Sequence, residues 1–136
     1  MRIFRAMDIS ASGLTAERLR LDIIASNISN VNSTRTPGGG PYRRKMPVFA
    51  ENTGLAEAVP GGVRVTSVQE DLTPSKRVHD PGHPDADSDG YVLMPNVETV
   101  KEMVDMVTAM RAYEANATVI GAAKSLAAKA LEIGRG

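Results

Sequence analysis

Cysteine and tryptophan are missing from the 136 residues, and there are only two Phe and three Tyr. Without cysteine there can be no disulfide staple, thiol nucleophile or thiolate metal site, and the compartment is left open. So few aromatic rings disfavour a deep globular core, whereas plentiful Ala, Val, Met and Gly suit thin, close contacts between helices. No stretch reaches 18 apolar residues. Met1 to Met7 holds Arg2 and Arg5 but no apolar run of signal-peptide length, so neither a membrane span nor a cleavable secretory signal is expected. A chain of this kind stays in the cytoplasm unless a dedicated machine exports it.

Net charge is also absent, with 16 basic and 16 acidic side chains, but the balance is uneven along the chain. Residues 1–45 carry eight Arg/Lys against three Asp/Glu, and residues 46–100 carry three against nine. Copies of such a chain can attract one another head to side, or the two regions are ordinary solvated faces. The short Arg43, Arg44, Lys45 run in a neutral chain is no nucleic-acid footprint.

What is present is helical periodicity at both ends and its interruption between them. Leu14, Leu21 and Ile28 lie seven apart, joined by Ile24 and Val31. Met103, Met106, Met110, Tyr113, Ala117, Ile120, Ala127 and Leu131 form a second stripe. All eight prolines and most of the glycines lie between the two. A stripe that regular needs a cover, either the other helix or a neighbouring subunit, so the pattern predicts an assembly component before an enzyme.

The first helix is expected to start near Asp8 or Ser10 as N-cap and to reach about residue 31, some 35 Å. Gly13 weakens it by about 1 kcal/mol relative to Ala. Asn27, Asn30 and Asn32, interleaved with serines, compete for backbone groups and predict its end. Pro37, Gly38, Gly39, Gly40 and Pro41 form a turn; a phosphate cradle would need a preceding strand and a following Lys-Ser/Thr, and Pro41-Tyr42 follow instead. Three short strands are expected: around Met46, Val48 and Phe49, over 62–68, and over 90–94. Asn96 after Pro95 predicts the N-cap of the second helix, with Glu98 and Glu102 in its opening turns, where the helix dipole favours them.

The one dense group of potential ligands or acid/base residues is His79, Asp80, His83, Asp85, Asp87 and Asp89. Asp85, Asp87, Asp89 and Gly90 match the first positions of a calcium loop, but Asn96 stands where the bidentate Glu belongs. Pro81 and Pro84 keep His79 and His83 off a helix, unlike a zinc hydrolase motif. The simpler reading is an ordered polar turn formed by Asp80, Pro81, His83, Pro84, Asp85, Asp87, Gly90 and Tyr91, with Asp side chains on backbone N–H groups. No catalytic, cofactor-binding or metal residues are assigned.

The stretch LDIIASNISNVNS, from Leu21 to Ser33, resembles the N-terminal motif of the bacterial flagellar rod/hook axial protein family. AMRAYEANATVI, from Ala109 to Ile120, resembles their C-terminal motif. The central DPGHPDADSDGYVLMPNVETVKEMVDM, from Asp80 to Met106, and the short length are similar to proximal-rod members. The segment from Ser33 to Lys45 departs from the family pattern in being richer in glycine.

The resemblance implies a mainly α fold with a small β-containing insert, its long terminal helices paired as an antiparallel coiled coil. It divides the chain into an N-terminal rod-core helix at 1–34, a Gly/Pro-rich middle at 35–95 that projects outward or laps adjoining subunits, and a C-terminal helix at 96–136. It implies a structural subunit of the basal-body proximal rod, a hollow drive shaft crossing the periplasm. The flagellar type III export apparatus would deliver it. Its partners would be FlgB, FlgF, copies of itself, and basal-body base components and rings. Leu14, Leu21, Ile24, Ile28, Met103, Met106, Met110, Tyr113, Ala117 and Ile120 would be helix-core or intersubunit contacts, and Asn27, Asn30 and Asn116 would hold polar bonds within the helices. The competing readings are a helical adaptor or export chaperone and a small metal-dependent hydrolase using His79, His83 and the Asp cluster.

Overall fold

A computed structural model describes residues 2–54 and 59–136. Two long helices, α1 (Arg2–Ser29) and α2 (Thr99–Arg135), flank four strands: β1 (Lys45–Glu51), β2 (Val63–Glu70), β3 (Lys76–His79) and β4 (Tyr91–Met94). The chain is thus mainly α with a small antiparallel β insert. No helix among the described residues is long and apolar enough to cross a membrane.

The helix α1 starts by Arg2, before the expected Asp8 or Ser10, because nothing in residues 2–7 breaks a helix and Ser10 is small enough to be buried against its neighbours. It ends at Ser29, where the Asn/Ser-rich stretch turns its bonds inward. The Asn30 side-chain amide donates to Ser26 O at 2.8 Å, and the Val31 and Ser33 amides reach back only three residues. The glycine turn then closes on itself, with the Thr36 amide bonded to Gly40 O. Gly39 and Gly40 hold φ of 83° and 73°, which side-chain-bearing residues avoid.

The two helices run antiparallel. Asn27 meets Glu102 near one end, and Gly13 meets Asn116 further along. Residues 13 to 27 on one helix therefore match 116 to 102 on the other, a spacing of 14 residues on each. The inward face of α2 is Glu102, Ala109 and Ala123, all buried, with Met106, Asn116 and Ile120 half-buried. On α1, Ala16, Ile23 and Ile24 are buried, and Leu14, Leu21 and Ile28 half-buried. Alanine at the contact lets the backbones approach closely.

Among the described residues the expected three strands are four, in two separate hairpins. β1 pairs with β2 from Lys45↔Glu70 to Glu51↔Val63, with a bulge between Val48 and Phe49. β3, which carries His79, had no alternating apolar signature because all four of its residues are exposed; it pairs with β4 from Lys76↔Met94 to His79↔Tyr91. The β1–β2 hairpin does not project away. It lies along α1, starting beside Asn27 and returning at Val63, whose amide donates to Ser12 Oγ at 3.1 Å. The 15 residues from Ser12 to Asn27 span about 22 Å of helix, and the seven residues of β1 span about 23 Å of strand.

Candidate functional site

The densest polar arrangement in the fold sits where α1, α2 and the first hairpin meet. Asn27 has no exposed surface. Its amide nitrogen donates to Lys45 O at 2.8 Å and to Glu102 Oε2 at 3.2 Å. Its Oδ1 accepts from the Lys45 amide at 2.9 Å and the Tyr42 hydroxyl at 2.7 Å. Two donors and two lone pairs are all used, so this buried amide carries no unsatisfied atom.

Glu102 is only 1% exposed. An acidic residue in an opening turn need only face solvent to satisfy the helix dipole, yet this one points into the molecule, where Arg44 Nε binds its Oε1. The same guanidinium lies 3.4 Å from Asp71 and 3.6 Å from Asp105. Burial alone would lower the Arg44 pKa, but the hydrogen bond and charge of Glu102, with Asp71 and Asp105, more than offset it and hold the guanidinium above its usual value.

Asn96 belongs to this junction and does not cap α2. The helix starts after Glu98, which makes no side-chain cap bond. Asn96 Oδ1 instead accepts the Arg44 amide at 2.7 Å, and its Nδ2 donates to Asp71 O, Thr73 O and Thr73 Oγ1, each at 3.0 Å. Spending Asn96 on the insert ties residues 44, 71 and 73 to the start of α2. Asp71 Oδ1 accepts the Thr73 amide at 2.9 Å. Bonds to Thr73 backbone and side chain, then the Arg44 charge, hold its carboxyl below the usual range.

A second contact lies along the helices. A Cβ added to Gly13 would stand 2.7 Å from Asn116 Nδ2, so Asn116 occupies the space that this glycine leaves. Asn116 also donates to Ala112 O at 3.1 Å. Beside it, a Cβ on Gly62 would lie 2.6 Å from Ser12 Oγ.

The central turn connects β3 to β4. The Asp80 amide donates to Gly90 O, the His83 amide to Asp80 O and the Asp87 amide to Tyr91 O. Asp87 Oδ1 accepts the Asp89 and Tyr91 amides at 2.9 Å each, which keeps its carboxyl below the usual range, the Tyr91 bond foremost. His83 Nδ1 accepts the Asp85 amide at 3.0 Å. The Asp85 carboxylate takes the Thr34 hydroxyl at 2.7 Å and pairs with Arg35, and its pKa is lowered chiefly by Thr34 and then by Arg35. Arg77 lies over the Tyr91 ring at 4.0 Å and 3.7 Å from Asp87. Gly90, at φ 80°, leaves room for Pro81, while Pro81 and Pro84 are exposed. The carboxylates of Asp85, Asp87 and Asp89 are thus directed at an amide, a hydroxyl or an arginine. Among the described residues no group of three or more His, Asp or Glu is placed to hold a metal ion.

The expected α2 stripe divides between two faces. Met106 and Ile120 turn toward α1, and Tyr113, seven residues from each, shares their line with its ring 38% exposed, while Met103 and Met110, at 52% and 47% exposure, turn outward and Ala117 is exposed beside them. Val100, Val104 and Val107 join that outward face, each half or more exposed. Sequence reasoning missed Tyr42, Arg44 and the buried role of Glu102. Ala109 and Ala123, two heptads apart, were the visible signal for the inward face.

The chain matches the family described as "Flagella basal body rod protein" over residues 7–35 and that described as "Flagellar basal body rod FlgEFG protein C-terminal" over residues 88–133. Asn27 falls in the first and Glu102 in the second. Among similar proteins, the flagellar basal-body rod protein FlgC of Borreliella burgdorferi is 45% identical over 152 aligned positions, covering 100% of both chains. The FlgC proteins of Salmonella typhimurium and Bacillus subtilis are 44% and 42% identical, over 99% of this chain and 100% of theirs. With identity at this level across the whole length, the chain belongs to the FlgC family of flagellar basal-body rod proteins.

Proposed function

We propose that this protein is a structural, non-catalytic subunit of the proximal rod. In this reading its terminal helices, as an antiparallel coiled coil, assemble into the hollow shaft that carries torque from motor to hook and filament. The observation that carries it is the outward face of α2, where Val100, Met103, Val104, Val107 and Met110 lie exposed along the side away from α1. Exposed apolar side chains in one contiguous strip are what a partner surface offers, and Met adapts to several neighbours. The 14-residue spacing between the two interhelical contacts is two heptads and supports the coiled-coil description.

The rod-core helices would then be 1–34 and 96–136, with 35–95 as the middle segment. Neighbours would include FlgB, FlgF, further copies of this chain, and the base and ring components. The location would be the basal body in the periplasm, reached through the type III export apparatus. Circular dichroism and light scattering of the purified chain, alone and mixed with FlgB and FlgF, test the reading. Growth in mass on mixing is expected; a fixed small mass with every rod partner would count against it and favour the adaptor.

A further inference from the structure

We infer that two contacts, Asn27 and Arg44 with Glu102 and Gly13 with Asn116, fix the axial register of the helix pair and so decide at what height along α1 the outward face of α2 is presented to neighbours. The second half rests on the rod reading; the first stands on the single chain. Apolar contact discriminates weakly between registers here. Leu14, Leu21 and Ile28 repeat every seven residues on α1, and Met106, Tyr113 and Ile120 repeat every seven on α2. Sliding α2 by one heptad would therefore set apolar beside apolar again.

The polar contacts do not survive that slide. Glu102 would stand beside Arg20 or beyond the end of α1, in either case away from Asn27 and from Arg44, which Asn96 holds directly and Asn27 through the adjoining Lys45. Asn116 would meet Ala6 or Arg20, where a Cβ fills the space that Gly13 leaves open. One contact is electrostatic and one steric, they lie two heptads apart, and both fail together in either one-heptad slip. Buried ionic groups contribute little net stability compared with apolar replacements of similar volume, and setting register is their best-attested use. Arg44 and Glu102 are positioning residues in this sense, and Arg44 makes the register depend on the insert being docked.

The test is the distance between spin labels at Asp8→Cys and Lys101→Cys, both exposed positions in a chain with no other cysteine. Lys101 stands level with residue 28, so the labels are about 30 Å apart along the axis, and a slip of one heptad moves them to about 20 or 40 Å. The parent should give one narrow distance near the first value. The variant Arg44→Met/Glu102→Met/Asn116→Ala should keep its helicity and urea midpoint yet show a second population at a slipped distance. If that variant loses helicity, Glu102→Leu/Asn116→Ala, which removes both contacts while Arg44 keeps Asp71 and Asp105 as partners, should show the slipped population. A single unchanged distance in every folded variant, or a broad one in the parent, would overturn the inference. Because distance is read on the chain alone, failure to grow in mass with rod partners would sink only the rod reading.

Discussion

Asn27 binds both the carbonyl and the amide of Lys45, at 2.8 and 2.9 Å, as a neighbouring strand would, although it projects from a helix. A side-chain amide is thus the last rung of the first hairpin and joins it to α1. Asn27→Ala would leave the Lys45 groups and the Tyr42 hydroxyl without partners inside the molecule. A loss of about 2 to 4 kcal/mol is expected from two or more orphaned groups, read as a lower urea midpoint. Asn27→Asp should be no milder, since it removes a donor and sets a carboxylate against Glu102.

Gly13→Ala is expected to destabilise the chain even though alanine is the better helix former by about 1 kcal/mol. The new Cβ would fall 2.7 Å from Asn116 Nδ2, and overpacking of this kind costs about 1 to 3 kcal/mol. Adding Asn116→Ala should recover most of the loss. A double-mutant cycle in thermal unfolding that came out additive would show that the two side chains do not interact.

Acid should loosen the junction and the central turn. Asp71, Asp85 and Asp87 all have carboxyl pKa values lowered in the fold, so their contribution is fully present above the unfolded value of about 3.9 and is lost as pH falls through the lower folded values. Melting temperature followed from pH 6 to pH 2 should drop below about pH 4. Asp85→Asn, which gives up the Arg35 charge pair, should reduce that drop.

Changes on the outward face should separate folding from assembly. Met103→Glu or Met110→Glu sits on exposed surface, so helicity and urea midpoint should shift by no more than about 0.5 kcal/mol. Growth in mass with rod partners should fall sharply. Unchanged growth in both variants would remove this face from the proposed interface.

The helices were legible because their apolar spacing and the lack of breakers are local signals, and so was the helix end, since Asn30 and its serines compete locally for backbone groups. Asn96 was misread for the same reason. A cap is the local use of an Asn before a helix, and its actual partners, Arg44, Asp71 and Thr73, lie more than 20 residues away. Glu102 looked like a dipole partner because nothing near it in the chain foretells Arg44, 58 residues earlier. The exposed β3 has no buried face to impose alternation, so only its pairing with β4 reveals it. Met103 and Met106 illustrate the limit of a stripe: three residues apart, they turn to different sides, because a seam between alanine-lined helices is narrower than the apolar arc.

The hairpin fastened to α1 at both Asn27 and Ser12 has a mechanical corollary. Two cylinders touching along a line resist bending poorly in one plane and can roll on each other. A third member, bound at two points along α1 with one of them shared with α2 through Glu102, turns the pair into a braced truss. Shear between the cylinders must then strain that end joint and the Gly13–Asn116 stop together, so load is divided between them and neither yields alone.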